Sequence, residues 1–370
     1  MTGHPKHQRR LRSVRMHGGQ GDVIMAIHGL QALRELGQKI LANDAVVYTR
    51  SIAAPVARLL LPDITVKSLE DSKHAPHPRY AVVPRTSWST VLRNWFYSDW
   101  YINFPERRLL ASYGYPRPSA MRRVQLWLTD LKLGPSTRWR RETPSYYGLK
   151  IWAPLAERFG LTDTDLMRGL YLAHRTLSAR LRAGTVARAD VPAVAFFPSG
   201  KAFQYLPAAF IKDLLLRAGV GPGDYACWFA PGDRWQPDYE RAGLHCRTST
   251  TDDELLAVLV SSKATLTCDS YVSHLAQLTA RRHIALMSHD LPQHTVHPAA
   301  ASVVVYEPQD CCPCWYTLRE THKTCLAGHA ACGVFAMPRY GEAAAAALRA
   351  ALAAGSRGEA LSETAALRPK

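Results

Sequence analysis

Three segments set polar, proton-carrying or glycine residues where a strand pattern gives way to a helix pattern. The first is His17-Gly18-Gly19-Gln20-Gly21-Asp22-Val23-Ile24. Backbone N–H groups at such a helix start favour anions, and glycines such as Gly19 and Gly21 let a ligand approach the chain closely. No Gly-Lys-Ser/Thr follows, and Ile24 stands where a dinucleotide fingerprint needs its third glycine, so neither phosphate motif is complete. Asp22 has two readings at this spacing, a helix cap or a general base. The second segment is Pro198-Ser199-Gly200-Lys201-Ala202-Phe203-Gln204-Tyr205-Leu206-Pro207. Ser199, Gly200 and Lys201 offer hydroxyl, backbone and ammonium contacts to a diphosphate, although a surface turn has the same composition. The third is Cys268-Asp269-Ser270-Tyr271-Val272-Ser273-His274-Leu275-Ala276. Asp269 and Ser270 fall at the carboxyl end of a strand, where open α/β sheets bind ligands, with Ser273 and His274 on the next helical turn. A histidine on a helix also has a purely structural reading.

Cysteine supplies a fourth constellation. Five of the eight cysteines fall between Cys311 and Cys332, as Cys311-Cys312-Pro313-Cys314 followed by Cys325 and Cys332. Cys311, Cys314, Cys325 and Cys332 provide four thiolates for a structural iron or zinc. Only one C-x₂-C pair is present, so reduced thiols or partial disulfides are the competing expectation, with His322 and His329 as spare ligands.

These segments need elements to hold them. Leu11–His17 reads as a strand and residues 22–36 as a helix with apolar Val23, Ile27, Leu30 and Leu33. Short strands follow at 44–49, 64–68 and 80–84. A second block restarts with strands at 193–198, 225–230, 264–268 and 283–287, and helices at 207–218, 252–261 and 270–280. Strands alternating with helices predict α/β domains with parallel sheets. The polar stretch 178–192 reads as the interdomain linker, and 86–160 as irregular helices and loops. The expected organisation is an N-terminal domain over 1–180, a C-terminal domain over 190–340, and an alanine-rich helix and tail over 341–370.

A chain of 370 residues that is 47% hydrophobic can bury a sizeable core, which excludes wholesale disorder. Lys and Arg outnumber Asp and Glu by 46 to 30, which points to an anionic partner, with a solvated basic surface as the alternative. Residues 85–150 hold twelve of the basic and four of the acidic residues, interleaved with Trp88, Trp95, Trp100, Trp127 and Trp139. That mixture suits sugars and phosphates. The basic Met1–Arg15 stretch lacks a following apolar core and no apolar run reaches about 18 residues, so the expected location is the cytoplasm.

The Gly-Gly-Gln-Gly-Asp start, the Ser-Gly-Lys loop, and Leu255–Leu286 with Asp269-Ser270 and His274-Leu275-Ala276 within it occur in an order that resembles glycosyltransferase family 9. That family includes the lipopolysaccharide heptosyltransferases, and the resemblance spans about Arg12 to Cys332. It implies a GT-B fold of two facing Rossmann-like domains with a cleft between them. It further implies an ADP-sugar donor held mainly by the C-terminal domain, at Ser199, Gly200, Lys201, Gln204, Asp269, Ser270, Ser273 and His274, with Gly19 and Gly21 of the N-terminal loop also on the donor, and Asp22 as the base that deprotonates an acceptor hydroxyl. No metal or other cofactor is implied for catalysis. Some relatives hold iron at a Cys-Pro-Cys region. The family often places a lysine before an aromatic residue and proline, where this chain has Gln204-Tyr205-Leu206-Pro207.

The implied acceptor is an anionic saccharide of the lipopolysaccharide core type or a protein hydroxyl. A core saccharide's phosphates would match Arg107, Arg108, Arg122, Arg123, Arg138, Arg140 and Arg141, and would bring peripheral contact with the inner membrane surface. Two alternatives compete: a nucleic-acid-binding protein, which the charge favours but the α/β blocks do not, and a non-catalytic nucleotide-binding subunit, motivated by Gln204.

Overall fold

A computed structural model of the chain describes residues 11–16, 19–70, 80–83, 100–103, 146, 148–149, 152, 156, 159–200, 205–288, 290–309 and 331–354. The chain divides into two compact units, Met1–Thr176 and Leu177–Lys370.

The first unit contains β1 (Leu11–Met16), α1 (Gln20–Glu35), β2 (Leu41–Thr49), α2 (Ala54–Leu60), β3 (Thr65–Ser68), β4 (Tyr80–Val83), β5 (Trp100–Asn103) and most of α3 (Asp163–Ala183). Its sheet runs β3-β2-β1-β4-β5 with every pairing parallel. Helix α1 is buried continuously from Val23 to Leu33. Gly29 makes that possible, since a Cβ there would lie 2.3 Å from both Gly148 O and Trp152 Cδ1. Trp152 donates its indole N–H to Ala26 O at 2.7 Å, and Tyr146 Oη lies 2.9 Å from His28 Nδ1. Strand β5 falls within the stretch expected to be irregular. Its four residues, Trp-Tyr-Ile-Asn, suit a strand, but flanking tryptophan, proline and charge hide so short a signal.

Helix α3 also corrects the expected linker. It continues through residues 178–183 because Leu166, Leu170, Ala173, Leu177 and Leu181 form one buried stripe. The arginines that make this segment look polar, Arg180 and Arg182, lie in the last turn, where cations complement the helix dipole.

The second unit contains β6 (Val194–Phe197), α4 (Ala208–Ala218), β7 (Tyr225–Phe229), α5 (Gln236–Arg241), β8 (Cys246–Thr248), α6 (Asp252–Ser261), β9 (Ala264–Thr267), α7 (Tyr271–Thr279), β10 (His283–Leu286), α8 (Pro292–Thr295), β11 (Ser302–Val305) and α9 (Pro338–Ala354). Its sheet runs β11-β10-β9-β6-β7-β8, again parallel throughout. Strands β6, β7, β9 and β10 are buried at every residue, as expected when helices cover both faces of a parallel sheet. Helix α4 ends on Gly219 in the left-handed region at φ 68°. The alanine-rich α9 packs Ala344, Ala345 and Leu348 into the core, and Tyr340 donates to Met287 O at 3.0 Å.

Both sheets share one winding. From β1 the chain adds β2 and β3 on one side, then β4 and β5 on the other; from β6 it adds β7 and β8, then β9 to β11. Direction reverses between β1 and β4 and between β6 and β9. Open α/β sheets bind ligands at the carboxyl ends of strands flanking such a reversal. No helix among the described residues is long and apolar enough to cross a membrane.

Candidate functional site

At the first reversal, β1 feeds through Gly19 into α1. Gly19 is extended at φ −77° and ψ 176°, and Asp22 is the third helical residue. The Asp22 carboxylate accepts the Gly19 N–H at 2.8 Å. This covers an N–H that would otherwise face outward and places negative charge on the positive end of α1. The cap geometry is therefore present, and it also fixes the orientation of a half-buried carboxylate. Gly21 lies in the first turn of α1; His17 and Gly18 lie outside the described residues.

The second reversal brings together two of the segments that the sequence singles out. Phe197 of β6 pairs with Thr267 of β9, so the strands end level, with Ser199 and Gly200 beyond one and Asp269 and Ser270 beyond the other. Ser270 is the extended residue before α7, at φ −153° and ψ 176°, and no side chain caps that helix. Helix α4, which follows the β6 loop, likewise has no side-chain cap. Neither helix carries an acidic residue in its first turn. Their N–H groups and positive ends are the elements of an anion site.

Helix α6 differs in each respect. Thr251 Oγ1 accepts the Glu254 N–H at 3.1 Å, and Asp252, Asp253 and Glu254 occupy the first turn. Its Asp252 accepts a hydrogen bond from Tyr271 Oη at 2.9 Å, tying the starts of α6 and α7 together. Burial raises the Asp252 pKa, opposed by that hydrogen bond.

Asp269, Ser273 and His274 on and before α7 are buried, and Ser270 is half-buried with its hydroxyl oxygen out of contact with solvent. Behind them lies His283, whose Nε2 is 2.8 Å from Thr267 Oγ1 and whose Nδ1 is 2.8 Å from Ser302 Oγ. Burial, aided by the neighbouring His274, pushes the His283 pKa down to about 3. His283 is thus a neutral pin across β9, β10 and β11. Burial also pushes the Cys268 thiol up to about 12, which disqualifies it as a thiolate nucleophile near neutral pH.

The sequence reading missed two groups here. Asp233 follows β7 and accepts from both Ser199 Oγ and the Trp235 N–H, the latter at 2.9 Å. Its signal was present in Pro231-Gly232-Asp233 beyond the second strand of the winding, a position where acidic residues serve nucleotide sites. The other is the buried pair Asp290–His294, 2.8 Å apart on the segment after β10. Nearby, Gln277 of α7 donates to Thr295 O at 3.2 Å and accepts the His297 N–H at 2.6 Å. This segment thereby braces α7.

Lys201, Gln204, Cys311, Cys314 and Cys325 lie outside the described residues, as does most of the basic aromatic stretch 85–150. Of the expected metal ligands only Cys332 is described; it is half-buried, and its Sγ donates to Ser288 O at 3.6 Å.

No family model and no curated protein matches the chain. Solved structures do. The iron-containing dodecameric glycosyltransferase TibC from enterotoxigenic E. coli H10407 has a TM-score of 0.50 at 12% identity, covering 94% of this chain and 77% of that one. E. coli ADP-heptose lipopolysaccharide heptosyltransferase II gives 0.49 at 13% identity, covering 93% and 99%. E. coli heptosyltransferase WaaC with ADP-2-deoxy-2-fluoro heptose gives 0.47 at 11% identity, covering 84% and 99%. The chain is structurally similar over most of its length to heptosyltransferases of glycosyltransferase family 9, at low identity. Its two parallel sheets match the GT-B fold.

Proposed function

We propose that the protein is an inverting glycosyltransferase that moves a heptose or related sugar from an ADP-sugar to an acceptor hydroxyl. The acceptor is a saccharide of the lipopolysaccharide core type or a protein side chain. The observation that carries this reading is the second reversal, where two helices with no side-chain cap and no acidic residue in their first turns follow level strands that run into Ser199-Gly200 and Asp269-Ser270. A diphosphate needs such an arrangement of N–H groups, and Lys201, next in sequence after Gly200, is the cation proposed to join them.

In the proposed reaction the acceptor oxygen attacks the anomeric carbon and Asp22 takes its proton. The bond from that carbon to the diphosphate oxygen breaks with inversion. The starts of α4 and α7 stabilise the negative charge that develops on the departing ADP. None of these steps calls for a metal. A metal on Cys311, Cys314, Cys325 and Cys332 is proposed as structural only, and elemental analysis of the purified protein against Cys314→Ser reads it directly.

Release of ADP from ADP-heptose, measured with and without dephosphorylated and phosphorylated core saccharides or acceptor polypeptide, tests the function. Acceptor-dependent release that disappears in Asp22→Asn supports it. Absence of ADP-sugar binding together with salt-sensitive nucleic-acid binding would favour the competing class.

A further inference from the structure

Asp233 closes a circuit of four residues, Ser199, Asp233, Trp235 and Tyr205, at the two described ends of the loop that the proposed function assigns to the donor diphosphate. Strand β7 runs out through Ala230-Pro231-Gly232-Asp233, where the Asp233 N–H returns to Ala230 O at 3.1 Å and Gly232 has φ 71°. Proline second and a left-handed glycine third are the pattern of a type II turn. This turn aims Asp233 back across the sheet edge toward β6. One carboxylate oxygen accepts from Ser199 Oγ and the other accepts the Trp235 N–H at 2.9 Å. The Trp235 ring stacks on Tyr205 at 3.8 Å between centroids and 18° between planes, with the Arg234 guanidinium 4.6 Å from the ring centroid. Tyr205 completes the circuit through an antiparallel bridge to Ser199, beside the Leu206 N–H to Pro198 O bond of 2.8 Å.

A serine hydroxyl has one proton. In this arrangement Ser199 gives that proton to Asp233, so it has none for a phosphate oxygen. A carboxylate beside a diphosphate is also electrostatically unfavourable. Its presence is explained if it fixes the loop that supplies backbone N–H groups, a gain in preorganisation that exceeds the repulsion.

We infer that Asp233 is a positioning residue for donor binding: it holds Ser199 and Trp235, and through them both ends of the phosphate loop, so that backbone N–H groups rather than the Ser199 hydroxyl meet the diphosphate. This rests on the donor site proposed above.

The test is a double-substitution cycle in ADP affinity on the full chain, read beside amide hydrogen exchange of peptides spanning 198–206. Asp233→Ala and Ser199→Ala should each weaken ADP about tenfold, roughly 1.4 kcal/mol, and the double variant should be no weaker than either alone. Exchange at Leu206 should rise in both, and Asp233→Asn, which still accepts from Ser199, should restore much of the loss. Unchanged or tighter ADP binding in Asp233→Ala overturns the inference, because simple removal of a repelling carboxylate would do that. Additive losses also overturn it. If wild-type protein binds no ADP, the donor reading fails separately, and exchange alone judges the circuit: raised exchange in Asp233→Ala upholds it and unchanged exchange refutes it.

Discussion

The two units wind their sheets in the same order and differ in what meets the helix starts at the reversal. In the first, the helix leaving the edge carries Asp22 against the Gly19 N–H, so its positive end is already answered by a carboxylate. In the second, α4 and α7 leave the edge with no acidic residue in their first turns, although α6 beside them carries three. Fold alone does not decide which edge takes a phosphate. Where the carboxylates lie at each edge differs as well: Asp22 is in the first turn of its helix, whereas Asp269 precedes α7 and Asp233 accepts from Ser199.

The largest effect expected from breaking this contrast is in Asp22→Asn. The amide oxygen still accepts the Gly19 N–H, so folding is preserved, while transfer should fall by about 10²–10⁴ if Asp22 is the base. Steady-state ADP release with acceptor present reads it, and retained turnover would leave Asp22 as a cap only. Next is Gly29→Ala in α1. Helix propensity alone would make alanine stabilising by about 1 kcal/mol, but the new Cβ would meet a backbone oxygen at 2.3 Å. Overpacking should win, at about 1–3 kcal/mol of destabilisation in urea.

A pH effect sharpens the second unit's side. His283 is held neutral by burial, with its pKa pushed down to about 3, while an unfolded histidine titrates near 6.5. Between those values the unfolded chain binds the extra proton, so stability is complete above about pH 6.5 and is lost as pH falls toward 3. By pH 5 this one group should cost about 2 kcal/mol. Urea midpoints across pH 5–7 should fall less steeply in His283→Asn than in wild type. The smallest effect is in Ser270→Asp, which puts a carboxylate at the N-cap of α7. Aspartate is a good cap, so stability should hold or rise. ADP affinity should nevertheless drop about tenfold, measured by isothermal titration.

Much of this was legible in sequence because buried parallel strands and amphipathic helices have strong periods. The three segments were recognisable as strand-to-helix turns, and the register of β6 with β9 sets two of them side by side. What was not legible depends on contacts distant in sequence. Asp233 lies 34 residues from Ser199, and although Pro231-Gly232 marks a turn locally, nothing in it names Ser199 as the partner. Trp152 and Gly29 meet across more than a hundred residues, so neither signals why α1 is buried on every side. The burial of Gln277 was hidden for a related reason: its side-chain partners, Thr295 O and the His297 N–H, lie 18 and 20 residues further along the chain.

The central claim is that nucleotide binding belongs to the second unit's edge and proton abstraction to the first. The most direct test is isothermal titration of ADP into wild type, Asp22→Asn and Ser270→Asp, with UDP and GDP as controls. The account predicts selective ADP binding to wild type and Asp22→Asn with equal affinity, and about tenfold weaker binding to Ser270→Asp. ADP binding that is lost in Asp22→Asn but untouched in Ser270→Asp would contradict it, placing the phosphate at the other edge.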